Sequence, residues 1–105
     1  MTNVLFIGTI IDMIRSFSDK RTEVFWNTGQ NTKIPSSIHK RAYRKLQLLH
    51  AATSIEFLKV PPSNHLEKLL GDRKGAYSIR INQQFRIVFT WTQGNAENVE
   101  IVDYH

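Results

Sequence analysis

Two runs toward the carboxyl end alternate their apolar positions. Tyr77, Ile79 and Ile81 are separated by Ser78 and Arg80, and Phe85, Ile87, Phe89 and Trp91 by Arg86, Val88 and Thr90. A period of two is the signature of a strand with one buried face. If both runs bury their apolar side in one core, Ile81 stands opposite Phe85, Ile79 opposite Ile87 and Tyr77 opposite Phe89, because a slip of one residue would turn a whole face into water. That register leaves Asn82-Gln83-Gln84 as the loop and sets Arg80 across from Arg86 on the other face. Like charges so placed repel unless something anionic sits between them. The pair therefore marks a candidate anion site.

Upstream, the pattern lengthens to helical spacing. Ile38, Ala42, Leu46 and Leu49 recur at intervals of four and three behind Pro35 and two serines, which predicts the longest helix from Pro35 to about Ala52. A shorter helix is predicted between an N-cap at Ser18-Asp19 and a stop at Gly29, with Val24, Phe25 and Thr28 on its packed side and Trp26 as the possible exception to packing. Met13 to Phe17 reads as a first strand. Residues 53–64, with Pro61-Pro62-Ser63-Asn64, read as a turn or loop, and Leu66 to Leu70 as a strand entering Gly71-Asp72-Arg73-Lys74-Gly75. Its two glycines permit a tight turn with Arg73 and Lys74 at the tip. This is not a phosphate-binding P-loop, since no Gly-Lys-Ser/Thr ending is present and a strand follows.

The last strand, about Asn98 to Tyr104, is apolar on both sides, so its facing is open. One register buries Val99 and Ile101 against Trp91 and Phe89 and would set Tyr104 opposite Arg86. His105 ends the chain. Residues 4–11 are apolar but too short to span a bilayer, and no Lys or Arg precedes them as a secretory leader would require. Residues 1–12 are expected to be an extension, from an upstream start or as an added edge strand, before a domain at 13–105.

Composition narrows the chemistry. With 105 residues, 41% of them hydrophobic, the chain suffices for one core. The absence of cysteine removes disulfides and thiolate chemistry and suits a reducing cytoplasm. Fourteen Lys and Arg against nine Asp and Glu give a net charge of +5, which favours polyanionic partners. Residues 33–50 contain no acid, and Lys40, Arg41, Arg44 and Lys45 lie on the long helix. His39 and His50, on that helix, are roughly 16 Å apart and cannot share a metal. Several cations with a tyrosine, a histidine and few carboxylates fit phosphoryl chemistry without a metal better than a two-metal centre, which needs clustered acids. No cofactor is expected. Cleavage of RNA through its own 2′-hydroxyl needs a base, an acid and positive charge at phosphorus. Histidine serves either proton role, and Arg80 and Arg86 suit the phosphate.

Met-Ile-Arg-Ser-Phe at 13–17, Leu-His-Ala-Ala-Thr at 49–53, Val-Pro-Pro at 60–62, Gly-Asp-Arg-Lys-Gly at 71–75, Tyr-Ser-Ile-Arg-Ile-Asn at 77–82, Phe-Arg-Ile at 85–87 and Val-Asp-Tyr-His at 102–105 together resemble the HigB toxins of the RelE-like superfamily. The resemblance implies an α+β fold, a small antiparallel sheet with two N-terminal helices packed on one face. It also implies a metal-independent, ribosome-dependent endoribonuclease acting on mRNA in the decoding site of the 70S ribosome. The implied partner is a HigA-type helix-turn-helix antitoxin, through which alone operator DNA would be met; no membrane is involved. Carried onto this chain, the resemblance makes Arg86, Asp103, Tyr104 and His105 catalytic, and Arg86 with the turn cations Arg73 and Lys74 phosphate ligands, which Arg80 joins through its pairing with Arg86. The family commonly has Lys before Gly-Asp-Arg, where this chain has Leu70, so Lys68 is expected to substitute on the same strand face. The alternatives are a non-cleaving relative that occupies the ribosome or the antitoxin, and a DNA-binding domain. The latter lacks a convincing helix-turn-helix partner for the basic helix.

Overall fold

A computed structural model describes residues 14–71 and 75–104. The expected extension at 1–12, together with Met13, Arg73, Lys74 and His105, lies outside the described residues. The order is helix α1 (Lys20–Thr28), a 3-10 turn (Ser36–Ile38), helix α2 (His39–Ala51), two further 3-10 turns (Ile55–Lys59 and Pro62–Asn64), then strands β1 (Glu67–Lys68), β2 (Ala76–Arg80), β3 (Phe85–Thr92) and β4 (Asn95–Asp103). The strands form one antiparallel sheet in sequence order. The class is α+β.

Local chemistry sets the helix ends. Asp19 caps α1 by accepting from Thr22 N at 3.0 Å, and Gly29 ends it at φ 81°, a conformation in which a Cβ would be strained. The packed side of α1 is Thr22 and Phe25 rather than the expected Val24, Phe25 and Thr28. Thr28 is exposed, and its hydroxyl is drawn to the Val24 and Gln30 carbonyls at the helix end. Trp26 is a packing residue: it stacks on Tyr43 with centroids 5.2 Å apart. In α2 the expected stripe is buried, and Ala42, Leu46 and Leu49 join Phe25, Ile79, Ile87, Phe89, Val99 and Ile101 in one core. Each large side chain there contributes roughly 1.5–3 kcal/mol by leaving water.

The β2–β3 register is the one the alternation predicts: Tyr77 pairs with Phe89, Ile79 with Ile87 and Arg80 with Arg86. The β3–β4 register is not. Arg86 pairs with Val102, and Ile101 with Ile87 rather than Phe89, a shift of two residues from the expected pairing. An even shift preserves the faces, so Val99 and Ile101 are still buried. The shift arises because β4 begins earlier, at Asn95, after a two-residue turn at Gln93 and Gly94, both at positive φ. A bulge follows: between Val88 and Thr90 the partner strand carries one extra residue, with Asn98 at φ 54°. The expected first strand survives as two parallel bridges, Ile14 to Ala96 and Phe17 to Val99, along the outer edge of β4.

Candidate phosphate site on the sheet

Arg86 stands on the face of β3 turned away from the main core, where Val88 packs with Leu69 and Ala76 against Val102. It is only 8% exposed. A guanidinium removed from water must be paired or hydrogen-bonded. Its Nε donates to Ser78 Oγ at 2.8 Å, and its Nη2 donates to the carbonyls of His65 and, at 3.5 Å, Ser78. Tyr104 lies against the guanidinium, with Cζ 5.6 Å from the ring centre. The Nη1 edge faces Glu67, whose Oε2 is 4.0 Å away, beyond hydrogen-bond reach. One side of the group is thus fixed by the fold, and the other meets an anion on a carboxylate that is half exposed.

Arg80, across the ladder, donates from Nε to the Asn82 carbonyl at 3.1 Å and sets Nη1 3.3 Å from His65 Nε2. The two arginines expected to be neighbours are therefore joined through His65, by its carbonyl and its ring. His65 adopts φ 43° at the end of the Pro62–Asn64 turn, whose Asn64 is 1% exposed and donates to the Leu58 and Val60 carbonyls.

The remaining expected residues divide. Tyr104 joins Arg86, though diagonally rather than directly opposite, since Val102 takes that place. Asp103 pairs with Phe85 and so faces the core side of the sheet end, where its Oδ2 accepts from Gln84 Nε2 at 3.0 Å. Lys68 is not brought to this site. It pairs with Tyr77 and turns to the opposite face, whereas Glu67 pairs with Ser78 and turns toward Arg86. Period two, applied from Leu70, carries Lys68 along with Leu70 and away from the arginines. Glu67, His65 and Ser78 were missed. Carrying the antiparallel register back across the Gly71–Gly75 turn would have placed Glu67 beside Ser78, but nothing in the sequence pattern points to the His65 carbonyl.

Among the described residues no group of three or more His, Cys, Asp and Glu comes together as a metal site, and no helix is long and apolar enough to cross a membrane.

A family model described as a RelE-like toxin of type II toxin-antitoxin system HigB matches residues 15–105. Toxin HigB-1 of Vibrio cholerae serotype O1 is 42% identical over 87 residues, which is 82% of this chain and 92% of that protein. Endoribonuclease HigB of Proteus vulgaris is 32% identical over 93 residues, 89% of this chain and 100% of the other. Among solved structures, a chain of the YoeB-YefM complex from Staphylococcus aureus is similar with TM-score 0.57 at 25% identity, over 88% of this chain and 94% of that one. The four-stranded sheet, its helices and these relatives define a toxin of a toxin-antitoxin system, of the RelE-like kind. Within that class, the chain belongs to the HigB-like toxin family.

Proposed function

We propose that this chain is a ribosome-dependent endoribonuclease that cuts mRNA in the ribosomal A site by 2′-hydroxyl attack, without a metal. The observation that carries the proposal is the half-committed guanidinium of Arg86, hydrogen-bonded on one side and open toward an anion on the other. The name of the Proteus relative supports the activity.

In this scheme the scissile phosphate takes the Nη1 edge of Arg86 and displaces Glu67 from it. Arg80 and the turn residues Arg73 and Lys74 add positive charge, while Tyr104 holds the guanidinium plane. The Glu67 carboxylate accepts the 2′-hydroxyl proton, O2′ bonds to phosphorus and the bond to O5′ breaks. His105, two residues after Asp103, gives the leaving oxygen its proton. The products are a 2′,3′-cyclic phosphate and a 5′-hydroxyl, which balances atoms and protons. Lys68 has no part in it. Ribosomal positioning of the message lets so small a constellation suffice. The partner is a HigA-type helix-turn-helix antitoxin, in keeping with the antitoxin complex formed by the structural relative, and the setting is the cytoplasm.

Leu70, 82% exposed where the family commonly carries Lys, favours the second reading, a relative that binds without cutting. Mapping transcript 5′ ends after brief induction separates the two. New ends inside coding sequence, lost in Arg86→Lys, are expected; growth arrest with intact transcripts would overturn the nuclease.

A further inference from the structure

A groove of about 760 Å³ opens beside the arginine pair, between α2 and the β2–β3 hairpin. Arg41, Arg44 and Lys45 of α2 form one wall, and Arg80 and Asn82 of the hairpin the other, with His65 at the end nearest Arg86. A second hollow of about 400 Å³ shares Arg41, Arg44 and Asn82 and extends the track past Lys40. Neither hollow is lined by an acid among the described residues.

The arrangement concentrates charge that the fold does not neutralise. Residues 41, 44 and 45 are neighbours at spacings of three and four, a placement that is unfavourable for like charges. Arg41 and Arg44 are exposed and form no ion pair among the described residues. Lys45 is held in place rather than neutralised, donating from Nζ to the buried Asn64 Oδ1 at 2.5 Å. Burial, and then the charges of Arg41 and Arg44, hold its ammonium below the ordinary lysine range. An anion entering the groove would relieve all three.

The geometry points to a single-stranded RNA backbone as the occupant: the strand whose phosphate lies at Arg86 continues past Arg80 into the groove, and Arg41, Arg44 and Lys45 hold the phosphates that follow. This rests on the reading of Arg86 as holder of the scissile phosphate, since continuity through His65 orients the strand. An acidic protein segment is the competitor. It fits less well, because stable protein contacts depend on apolar anchors at their centre, and most of the groove's lining is polar or charged.

The test is fluorescence anisotropy with a short single-stranded RNA, 2′-O-methylated throughout so that it cannot be cut, titrated over a range of salt. Each phosphate contact to a single strand contributes about 0.7 to the salt slope. Arg41→Gln/Arg44→Gln should therefore lower the slope by about 1.4 and the affinity about 25-fold at roughly 0.1 M salt. Arg44→Gln alone should lower the slope by about 0.7. Both side chains are exposed, so circular dichroism should be unchanged. An unchanged slope and affinity, or no binding by the wild type, would overturn the proposal. So would polyglutamate of equal charge binding as tightly and losing as much in the double variant, which would give the groove to an acidic protein partner. Transcript mapping and oligonucleotide binding separate the two claims. If the nuclease reading alone fails, wild-type transcripts stay intact while the groove variants still lose oligonucleotide binding.

Discussion

Arg86 and Tyr104 are in contact across the end of the sheet, the guanidinium carbon 5.6 Å from the ring centre. Arg86 lies on β3 and pairs with Val102, whereas Tyr104 lies just past the end of β4 and has no register partner there. A ring against a guanidinium is worth about 0.5–1 kcal/mol at an exposed site, and Tyr104 is 43% exposed. Its value lies in fixing the plane of the fork. Tyr104→Phe should therefore keep the stability and most of the toxicity, whereas Tyr104→Ala should lose toxicity with at most about 1 kcal/mol of stability. Growth assays beside urea unfolding check this. Equal loss in both variants would move the role from the ring to the hydroxyl.

Ser78 is fully buried and accepts from Arg86 Nε. Ser78→Ala leaves a buried charged donor without its acceptor, which costs about 1–3 kcal/mol. The expected outcome is a lower urea midpoint with an unchanged slope, and reduced toxicity. The same burial means that Arg86 is part of the fold as well as the site. Arg86→Lys, which keeps a charge near the His65 carbonyl but loses the fork, is therefore the cleaner probe of function than Arg86→Ala.

The site is only partly legible in the sequence. Alternation located Arg80 and Arg86 and their pairing, because one buried face fixes parity and a short loop fixes register. It could not show that Arg86 is sunk to 8% exposure, since the His65 carbonyl that holds it comes from the end of a 3-10 turn outside the alternating runs. The β4 register differs for another reason: the two-residue turn at Gln93 and Gly94 starts the strand at Asn95 rather than Asn98, and the alternation does not mark that turn. The helices were read almost to their ends because their caps, Asp19 and Gly29, and the stripe Ile38-Ala42-Leu46-Leu49 are local signals. The tertiary consequence of the acid-free stretch 33–50, a groove facing Arg80, was not.

Glu67 carries the clearest catalytic test, because its side chain is 53% exposed and no hydrogen bond ties it to Arg86. Glu67→Gln should fold normally and cut about 10²–10⁴-fold more slowly, the usual weight of a general base. Counting new transcript ends against time measures it. Undiminished cutting would reduce Glu67 to an occupant of the phosphate position.

Lys45 gives a pH signature. Its folded-state value is held below the ordinary 10.5, first by burial and then by Arg41 and Arg44. Between that lowered value and 10.5 the unfolded chain binds more protons, so this group's contribution to stability rises with pH there, and its full cost is present at neutral pH. Titration of the ζ-amine by NMR should give a midpoint below 10.5 that Arg41→Gln/Arg44→Gln raises only in part, since burial is the larger cause. A wild-type midpoint at 10.5 would contradict the crowding.

The most direct measurement of the central claim is the chemistry of the ends made on a purified ribosome–mRNA complex. If Arg86 holds a phosphodiester while its own 2′-oxygen attacks, wild-type protein leaves a 2′,3′-cyclic phosphate and a 5′-hydroxyl, and folded Arg86→Lys leaves neither. A 3′-hydroxyl with a 5′-phosphate, or equal cutting by both proteins, would contradict it.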